Sequence, residues 1–428
     1  MHITFIYADP HDSQNCSLYN VIYPAKEINK LQGHSADTFY VGEFDLSNDH
    51  MRQSCLRADL IIFERNLFSN ILLEEMRLWL ENKNVAIIFD DDYVRIEPKN
   101  NAYDFWHNSG NMIKLENGMF QRVTVRPGYL AQLRRGVRLA KGLICPSRIL
   151  CDDWKEYTDT YRIHNYLDEQ RYPEESRALF RDKELATEWA RQRRDKFNEE
   201  NTFENVKKMF PKKDEKEVDE WIKYELIKFN KKYTFENIEK TFSKNNIIIG
   251  WCGSYSHVES FTKSGALYAL EKVAMKHDNV RVLIGGDKRV YDLLKIPEGK
   301  KFFTEHVPDE QWAALQKSID IGIAPLSTDF DRRRSWIKVL EYMIMKVPWV
   351  ATNFETYEEL GNYGILTDNN VRNWRNALEY AIENIAELKE KANNENFLFA
   401  KSNTYENKIG ELLSVYQQII DAKDRDEV

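Results

Sequence analysis

The chain has 428 residues, 42% of them hydrophobic, more than one ordinary core organises, so two domains with room for an insertion are expected. With 22 Tyr, 22 Phe and 10 Trp against 17 Gly and 11 Pro, disorder over most of the length is excluded. A net charge of −8 excludes a general attraction to nucleic acid or anionic lipid and leaves only local basic patches.

The start, "MHITFIYADP", has no basic segment followed by a long apolar run, and no stretch approaches the ~20 apolar residues of a membrane span. Cys16, Cys55, Cys145, Cys151 and Cys252 form no CxxC pair and no metal-ligand spacing, an odd set that suits a reducing compartment. The expectation is a cytoplasmic protein without a transmembrane segment.

In chain order, "HITFIYA" (2–8) reads as the first buried strand of an α/β sheet, with a helix near 19–32 behind it. Further strands are expected at "DTFYVGEF" (37–44), "DLIIFER" (59–65), "VAIIFDDD" (85–92) and "GLICPS" (142–147), with the helical "NILLEEMRLWLENK" between the third and fourth. Strand, helix, strand in alternation implies a parallel, doubly wound sheet. From Leu143 to Ile249 there is no glycine, and residues 173–245 hold 18 Lys/Arg against 17 Asp/Glu, the balance of long solvated helices. Within that stretch "TFENVKKMFPKK" (202–213) resembles "TFENIEKTFSKN" (234–245), either a duplicated helical unit or two similarly capped amphipathic helices.

A second series runs through "NNIIIGWCGS" (245–254), "NVRVLIGG" (279–286), "KKFFTEHV" (300–307), "IDIGIAPL" (319–326) and "VPWVAT" (347–352), and "YENKIGELLSVYQQIIDA" (405–422) reads as a closing helix. The expected division is 1–172 and 246–395 as two Rossmann-like domains facing a cleft, 173–245 as a charged helical insertion, and 396–428 as the closing segment.

In open α/β sheets, ligands bind beyond the carboxyl ends of strands, where helix N-termini present free N–H groups. At such a place stands "DFDRRRSWIKVLEYMIM" (329–345). Arg332, Arg333, Arg334 and Lys338 crowd the start of a helix that Ser335 can cap, although the positive end of the helix dipole repels cations. A bound diphosphate reverses that sign; pairing with Asp329 and Asp331 is the alternative. Glu341 shares a helix face with Lys338 and lies too far along to cap the helix, which suits it to vicinal ribose hydroxyls.

The stretch "DIGIAPLSTDFDRRRSWIKVLEYMIMKVPWVAT" resembles the nucleotide-sugar signature of glycosyltransferase family 4, a retaining family of GT-B fold, and "IGWCGSYSHVESF" (249–261) is similar to that family's first loop of the second domain. The resemblance implies an α/β GT-B architecture in which Glu341 binds the ribose, Lys338 and the arginines Arg332, Arg333 and Arg334 neutralise the diphosphate, and Gly253 and Ser254 let the backbone approach the phosphates. Two departures stand out. Many members carry a second glutamate where this chain has Arg333, and the Gly-Arg and Lys-Gly phosphate pair of the first loop is replaced by "GWCGSYSH".

"FDDDY" (89–93) is similar to an Asp-rich strand end of some members; Asp90 and Asp91 are the candidates beside the reacting carbon, with Asp92 and Arg65 toward the acceptor, while capping of the following segment by the acids and a salt bridge between Arg65 and this cluster are the alternatives. A divalent metal on an Asp-x-Asp pair is a less favoured reading, since GT-B enzymes usually dispense with one. Residues 120–150 hold seven Arg/Lys and no acid, which suits either a phosphate-bearing acceptor or a basic helix face beside an acidic neighbour. His257 and His306 are expected as solvated loop histidines. Together these readings point to a glycosyltransferase, hexosyl- or pentosyl-, that moves a sugar from a nucleotide diphosphate sugar to the hydroxyl of a glycan or small molecule, with no required cofactor. The alternatives are a transferase acting on a modified nucleic-acid base and a non-catalytic nucleotide-sugar-binding or scaffold protein.

Overall fold

The computed structural model describes the chain except for residues 11–14, 46, 66–67, 115–118, 254–256 and 423–428. Two six-stranded sheets, each parallel throughout, carry the fold. The first contains β1 (His2–Tyr7), β2 (Ser35–Tyr40), β3 (Leu60–Glu64), β4 (Val85–Ile88), β7 (Gly142–Cys145) and β8 (Thr160–Arg162). An antiparallel ribbon, β5 (Gly110–Lys114) with β6 (Phe120–Thr124), joins neither sheet. The second sheet contains β9 (Ile247–Gly253), β10 (Val280–Gly286), β11 (Lys301–Thr304), β12 (Ile321–Ala324), β13 (Trp349–Thr352) and β14 (Ile365–Thr367). The central strands β1, β3 and β4 are buried along their whole length and mostly apolar, as in a sheet that helices cover on both faces.

The two sheets differ in topology. The first runs β2-β1-β3-β4-β7-β8 and the second β11-β10-β9-β12-β13-β14. Strand order therefore reverses between β1 and β3 in one sheet and between β9 and β12 in the other, the two places where a doubly wound sheet opens a crevice beyond its carboxyl ends.

Residues 173–245 form four helices, Lys183–Glu200, Phe203–Met209, Glu215–Lys232 and Phe235–Thr241. They pack through Phe180, Trp189, Tyr233 and Phe242 around Phe302 of the edge strand β11. The repeated "TFEN" is one turn used twice. Thr202 and Thr234 cap their helices by accepting from the N–H groups of Asn205 and Asn237, and each Asn amide reaches back to the end of the preceding helix. The last helix, Tyr405–Asp421, returns to the first sheet, with Tyr416 against Phe5 and Lys141 donating to the Ile420 carbonyl (2.9 Å).

Several elements differ from expectation. The second strand starts at Ser35 and ends at Tyr40, the early helix is broken into Asn15–Ser17, a π-turn at Leu18–Ile22 and Tyr23–Ile28, and β5, β6, β8 and β14 lack a sequence signal. The last two are three-residue edge strands, and the exposed ribbon alternates too weakly to read.

Candidate functional site

The helix that carries Lys338 and Glu341 spans Ile337–Ile344 and follows β12. Gly322 positions it: a Cβ there would lie 2.6 Å from the ring of Tyr342, whose hydroxyl donates to the Ile323 carbonyl (3.0 Å). Trp336, not Ser335, occupies the N-cap position, and its indole N–H donates to the Asn165 carbonyl of the first domain (3.0 Å). Ahead of it, the buried Asp331 fixes the loop by accepting from the N–H groups of Ser327 (2.8 Å) and Thr328 (3.1 Å) and from the Ser260 hydroxyl (2.8 Å).

Between the domains lies a crevice of about 970 Å³, into which Asp90, Asp91, Gly253, Arg334, Lys338 and Glu341 all face. Residues about 250 positions apart in sequence thus meet beyond the carboxyl ends of β4 and β12. Gly253 ends β9 beside Gly286, whose φ of +91° suits glycine and whose Cβ, were there one, would lie 2.2 Å from the Gly253 carbonyl oxygen. Ser254 falls outside the described residues.

Glu341 accepts four hydrogen bonds in the crevice. Its Oε1 accepts from the Tyr19 hydroxyl (3.0 Å), the Tyr172 hydroxyl (2.8 Å) and the Trp312 indole N–H (2.9 Å), while Oε2 accepts from Lys338 Nζ (2.7 Å). Burial alone would raise its pKa, but Lys338 and Arg171 more than offset this and hold the carboxyl below its ordinary value. Arg171 lies over the rings of Tyr19, Tyr172 and Trp312 and donates to the Tyr19 hydroxyl (2.6 Å) and to Asp309 (2.7 Å). Tyr19, Arg171, Tyr172 and Trp312 carry no local motif, and the sequence offers no signal for them, because they gather around Glu341 from segments that only tertiary packing brings together, Tyr19, Arg171 and Tyr172 from outside the second domain and Trp312 from another helix within it.

On the opposite wall, Asp91 accepts from Arg334 Nε (3.2 Å) and Nη2 (3.4 Å). Burial pushes its pKa up to about 6, against the pull of Arg334 and with the help of Asp90. Asp90 accepts from the Tyr93 hydroxyl and lies 3.7 Å from Arg65, which also pairs with Asp9. Arg65 holds a φ of 37°, in the left-handed region, at the end of β3. Beside it, the fully buried Glu64 accepts from the Ala8 N–H (2.9 Å) and the Ser17 hydroxyl, and burial raises its pKa. His257 is half-buried in the crevice rather than fully solvated: its ring meets Arg334 Nη1 at 2.9 Å, and burial, then Arg334 and Lys338, push its pKa far down. His306 is exposed, as expected of a loop histidine, and packs its ring beside Trp312, where partial burial lowers its pKa.

Three residues expected at the donor or acceptor face elsewhere. Arg333 is buried and bonds Asp153 and Asp329 (2.8 Å), with Asp92 at 3.2 Å, as a strut between the domains. Asp92 accepts from the Val94 N–H (3.1 Å) and from Arg95 (2.8 Å), so its carboxylate belongs to the same ion network. Arg332 turns outward to Glu355 (2.6 Å) and the Phe354 ring. The physical reason for the two arginines is that in the turn Asp331–Arg333 successive side chains point in different directions, and each guanidinium finds a carboxylate of the protein itself; Asp92 is drawn off by Arg95 and Arg333. The seven cations of 120–150 do not form one free patch either: Arg122 pairs with Asp104, Arg135 bonds Asn70, and Lys141 bonds Asn84. Among the described residues, the three carboxylates whose oxygens lie within 4.8 Å of one another are Glu27, Asp168 and Glu406, not the Asp90–Asp92 run. Lys30 and Lys26 already pair with the first two.

Residues 246–400 match the family model described as Glycosyl transferases group 1. No protein of curated function matches the sequence. Among solved structures, the chain is similar to Alr3699/HepE from Anabaena in complex with UDP and glucose, at 13% identity and a TM-score of 0.56, over 97% of this chain and 99% of that one. It is also similar to sucrose-phosphate synthase from Thermosynechococcus elongatus (9% identity, TM-score 0.54, 99% and 100% of the chains). The trehalose-6-phosphate phosphatase N-terminal domain from Candida albicans is alike as well (9%, 0.55, 98% and 99%). At these identities the likeness establishes the fold. Two parallel six-stranded sheets with a crevice between them have the GT-B fold, and the second sheet lies within the segment that the group 1 model matches. No helix among the described residues is long and apolar enough to cross a membrane.

Proposed function

We propose that the protein transfers a sugar from a nucleoside diphosphate sugar to an acceptor hydroxyl in the crevice between its two domains. The observation that carries the reading is the placement of a buried, ionised carboxylate, Glu341, beside Lys338 and across from Arg334, at the strand-order reversal of the second sheet. In this reading Glu341 takes the vicinal ribose hydroxyls, and Lys338 and Arg334 face the diphosphate. The backbone at Gly253 closes on its oxygens. Charge on the departing diphosphate is stabilised by cations already oriented before it forms, the arrangement that contributes most to electrostatic catalysis.

Asp91, opposite the donor on the Arg334 side, accepts the hydrogen bond of the incoming hydroxyl. Arg334, which now pairs with Asp91, bridges acceptor and diphosphate, so proximity of the two substrates supplies much of the rate. Asp90 and Arg65 hold Asp91's neighbourhood. Retention at the anomeric carbon follows from the family resemblance, the unpaired state of the five cysteines suits the cytoplasm, and the choice between hexose and pentose is open to assay. That a structural relative was solved with UDP and glucose makes uridine nucleotides the first donors to try.

The test is a thermal-shift panel of UDP, GDP, ADP and their sugars, joined to measurement of free nucleoside diphosphate. A ligand at about 100 times its Kd stabilises by roughly 2.7 kcal/mol. One nucleotide is expected to shift the transition, its sugar to be hydrolysed slowly, and Glu341→Ala to remove both effects. Absence of any nucleotide shift sinks the proposal in favour of a scaffold.

A further inference from the structure

On the far side of Arg334 lies a second crevice, with an empty volume of about 570 Å³, that the donor reading leaves unused. It opens beyond the carboxyl ends of β7 and β8, where Arg148 follows Ser147 and where Arg162 ends β8, and it is closed from the second domain by Arg332 and the segment Glu355–Glu359. Four guanidinium groups therefore line one small cavity: Arg148, Arg162, Arg332 and Arg334. Arg334 lines the donor crevice too, so the cavities share a wall.

Three of these groups have carboxylate partners, and Glu358 lines the cavity as well; Arg334 is held by Asp91, but the partners of the other two are exposed. Arg162 pairs with Glu359, and Arg332 with Glu355 at 2.6 Å, both glutamates being a third or more exposed. Such pairs contribute little and exchange readily. Among the described residues Arg148 has no ion-pair partner and lies exposed at the rim. The floor is flat: His164 stacks on Trp336 with ring centroids 3.7 Å apart and an interplanar angle of 12°. The Nδ1 of His164 is buried without a hydrogen-bond partner. Burial, and then Arg162, lower the pKa of this imidazole to about 4, so it is neutral and adds no charge of its own.

We infer that this cavity is the acceptor subsite and that it takes an acceptor carrying an anionic group, a phosphate monoester or a carboxylate, gripped by Arg148, Arg162 and Arg332. The planar guanidinium fork matches both anions in a bidentate fashion, and the donors that Arg162 and Arg332 do not spend on glutamate remain for it. An anion held there leaves the rest of a small acceptor to extend past Arg334 toward Asp91. The inference rests on the transferase reading, since it names the acceptor class for that site.

The test is calorimetry on the full chain saturated with UDP in 0.1 M salt, titrated with a hexose monophosphate, a hexuronate, the neutral hexose and inorganic phosphate. At least one sugar anion is expected to bind, the neutral hexose not, and the stronger of the two anions identifies the group. Arg148→Ala is expected to weaken that binding about tenfold, the loss of one charge-assisted contact, and Arg148→Lys to restore part of it, with UDP affinity unchanged in both. No anion binding to the UDP complex, anion binding indifferent to Arg148→Ala, or anion binding that competes with UDP each overturns the inference. Failure of UDP itself to bind instead strikes the transferase reading, so the two failures are told apart.

Discussion

Replacing Glu341 by Gln isolates charge from shape at the centre of the crevice. The amide keeps an acceptor for Tyr19, Tyr172 and Trp312 but loses the ionic partner of Lys338, whose side chain is only 17% exposed. Removing one partner of a buried pair costs about 3–5 kcal/mol because the other charge stays desolvated. Glu341→Gln should approach the lower figure and Glu341→Ala the upper, read as a fall in the urea midpoint at constant slope. The carboxyl titrates below its ordinary value of 4.5, so its contribution to stability is fully present above that pH and is lost as pH falls through the depressed value. The difference between wild type and Glu341→Gln should therefore shrink in acid. Binding gives the second readout. Ribose hydroxyls exchange for tyrosine hydroxyls on Oε1, so the net gain is that of a charged over a neutral acceptor, and UDP should weaken roughly tenfold in Glu341→Gln. Inorganic pyrophosphate, which has no ribose, should bind as tightly or more tightly. If UDP binds Glu341→Gln as it does the wild type, the carboxylate does not hold the ribose.

Further outcomes follow from the same geometry. Tyr19→Phe removes one of the three donors that already occupy Glu341 Oε1, and UDP should tighten about 2- to 10-fold, the worth of one net hydrogen bond; calorimetric titration checks it, and weaker binding refutes the competition. Arg333→Ala should destabilise by about 1.5–3 kcal/mol in urea yet leave UDP affinity within about twofold, because it removes one of the two guanidinium partners of Asp153 and Asp92 at the domain junction, Arg95 keeping the other, and does not face the crevice. With the Asp91 carboxyl raised to about 6, the rate of sugar transfer should fall on the acid side with a half-point near that pH, and Asp91→Asn should lower the rate throughout by about 10²–10⁴-fold. The matching stability term has the opposite sign to that of Glu341. A raised acid favours the fold below its ordinary pKa of 3.8 and loses that contribution as pH rises through about 6, so Asp91→Asn should gain on wild type over that interval.

Sequence by itself determined the architecture. Runs such as "VAIIFDD" and "IDIGIAPL" are apolar on both faces and can stand only inside a helix-covered parallel sheet, and their alternation with helical stretches sets two doubly wound units. The spacing of Lys338 and Glu341 placed them on one helix face, where they bond at 2.7 Å, because three residues is nearly one turn. Tertiary structure alone decided what each neighbouring arginine does. Arg332, Arg333 and Arg334 are equivalent in the chain, but the turn that holds them sends one to Glu355, one to Asp153 across the domain junction and one to Asp91 at the crevice wall. The same holds for Tyr19, Tyr172 and Trp312, which meet Glu341 from three distant segments. Periodicity reports the environment of an element one face at a time. Which charge meets which is settled only when two separately folded sheets close on each other, since a carboxylate within 3 Å in space has no signature in the local sequence.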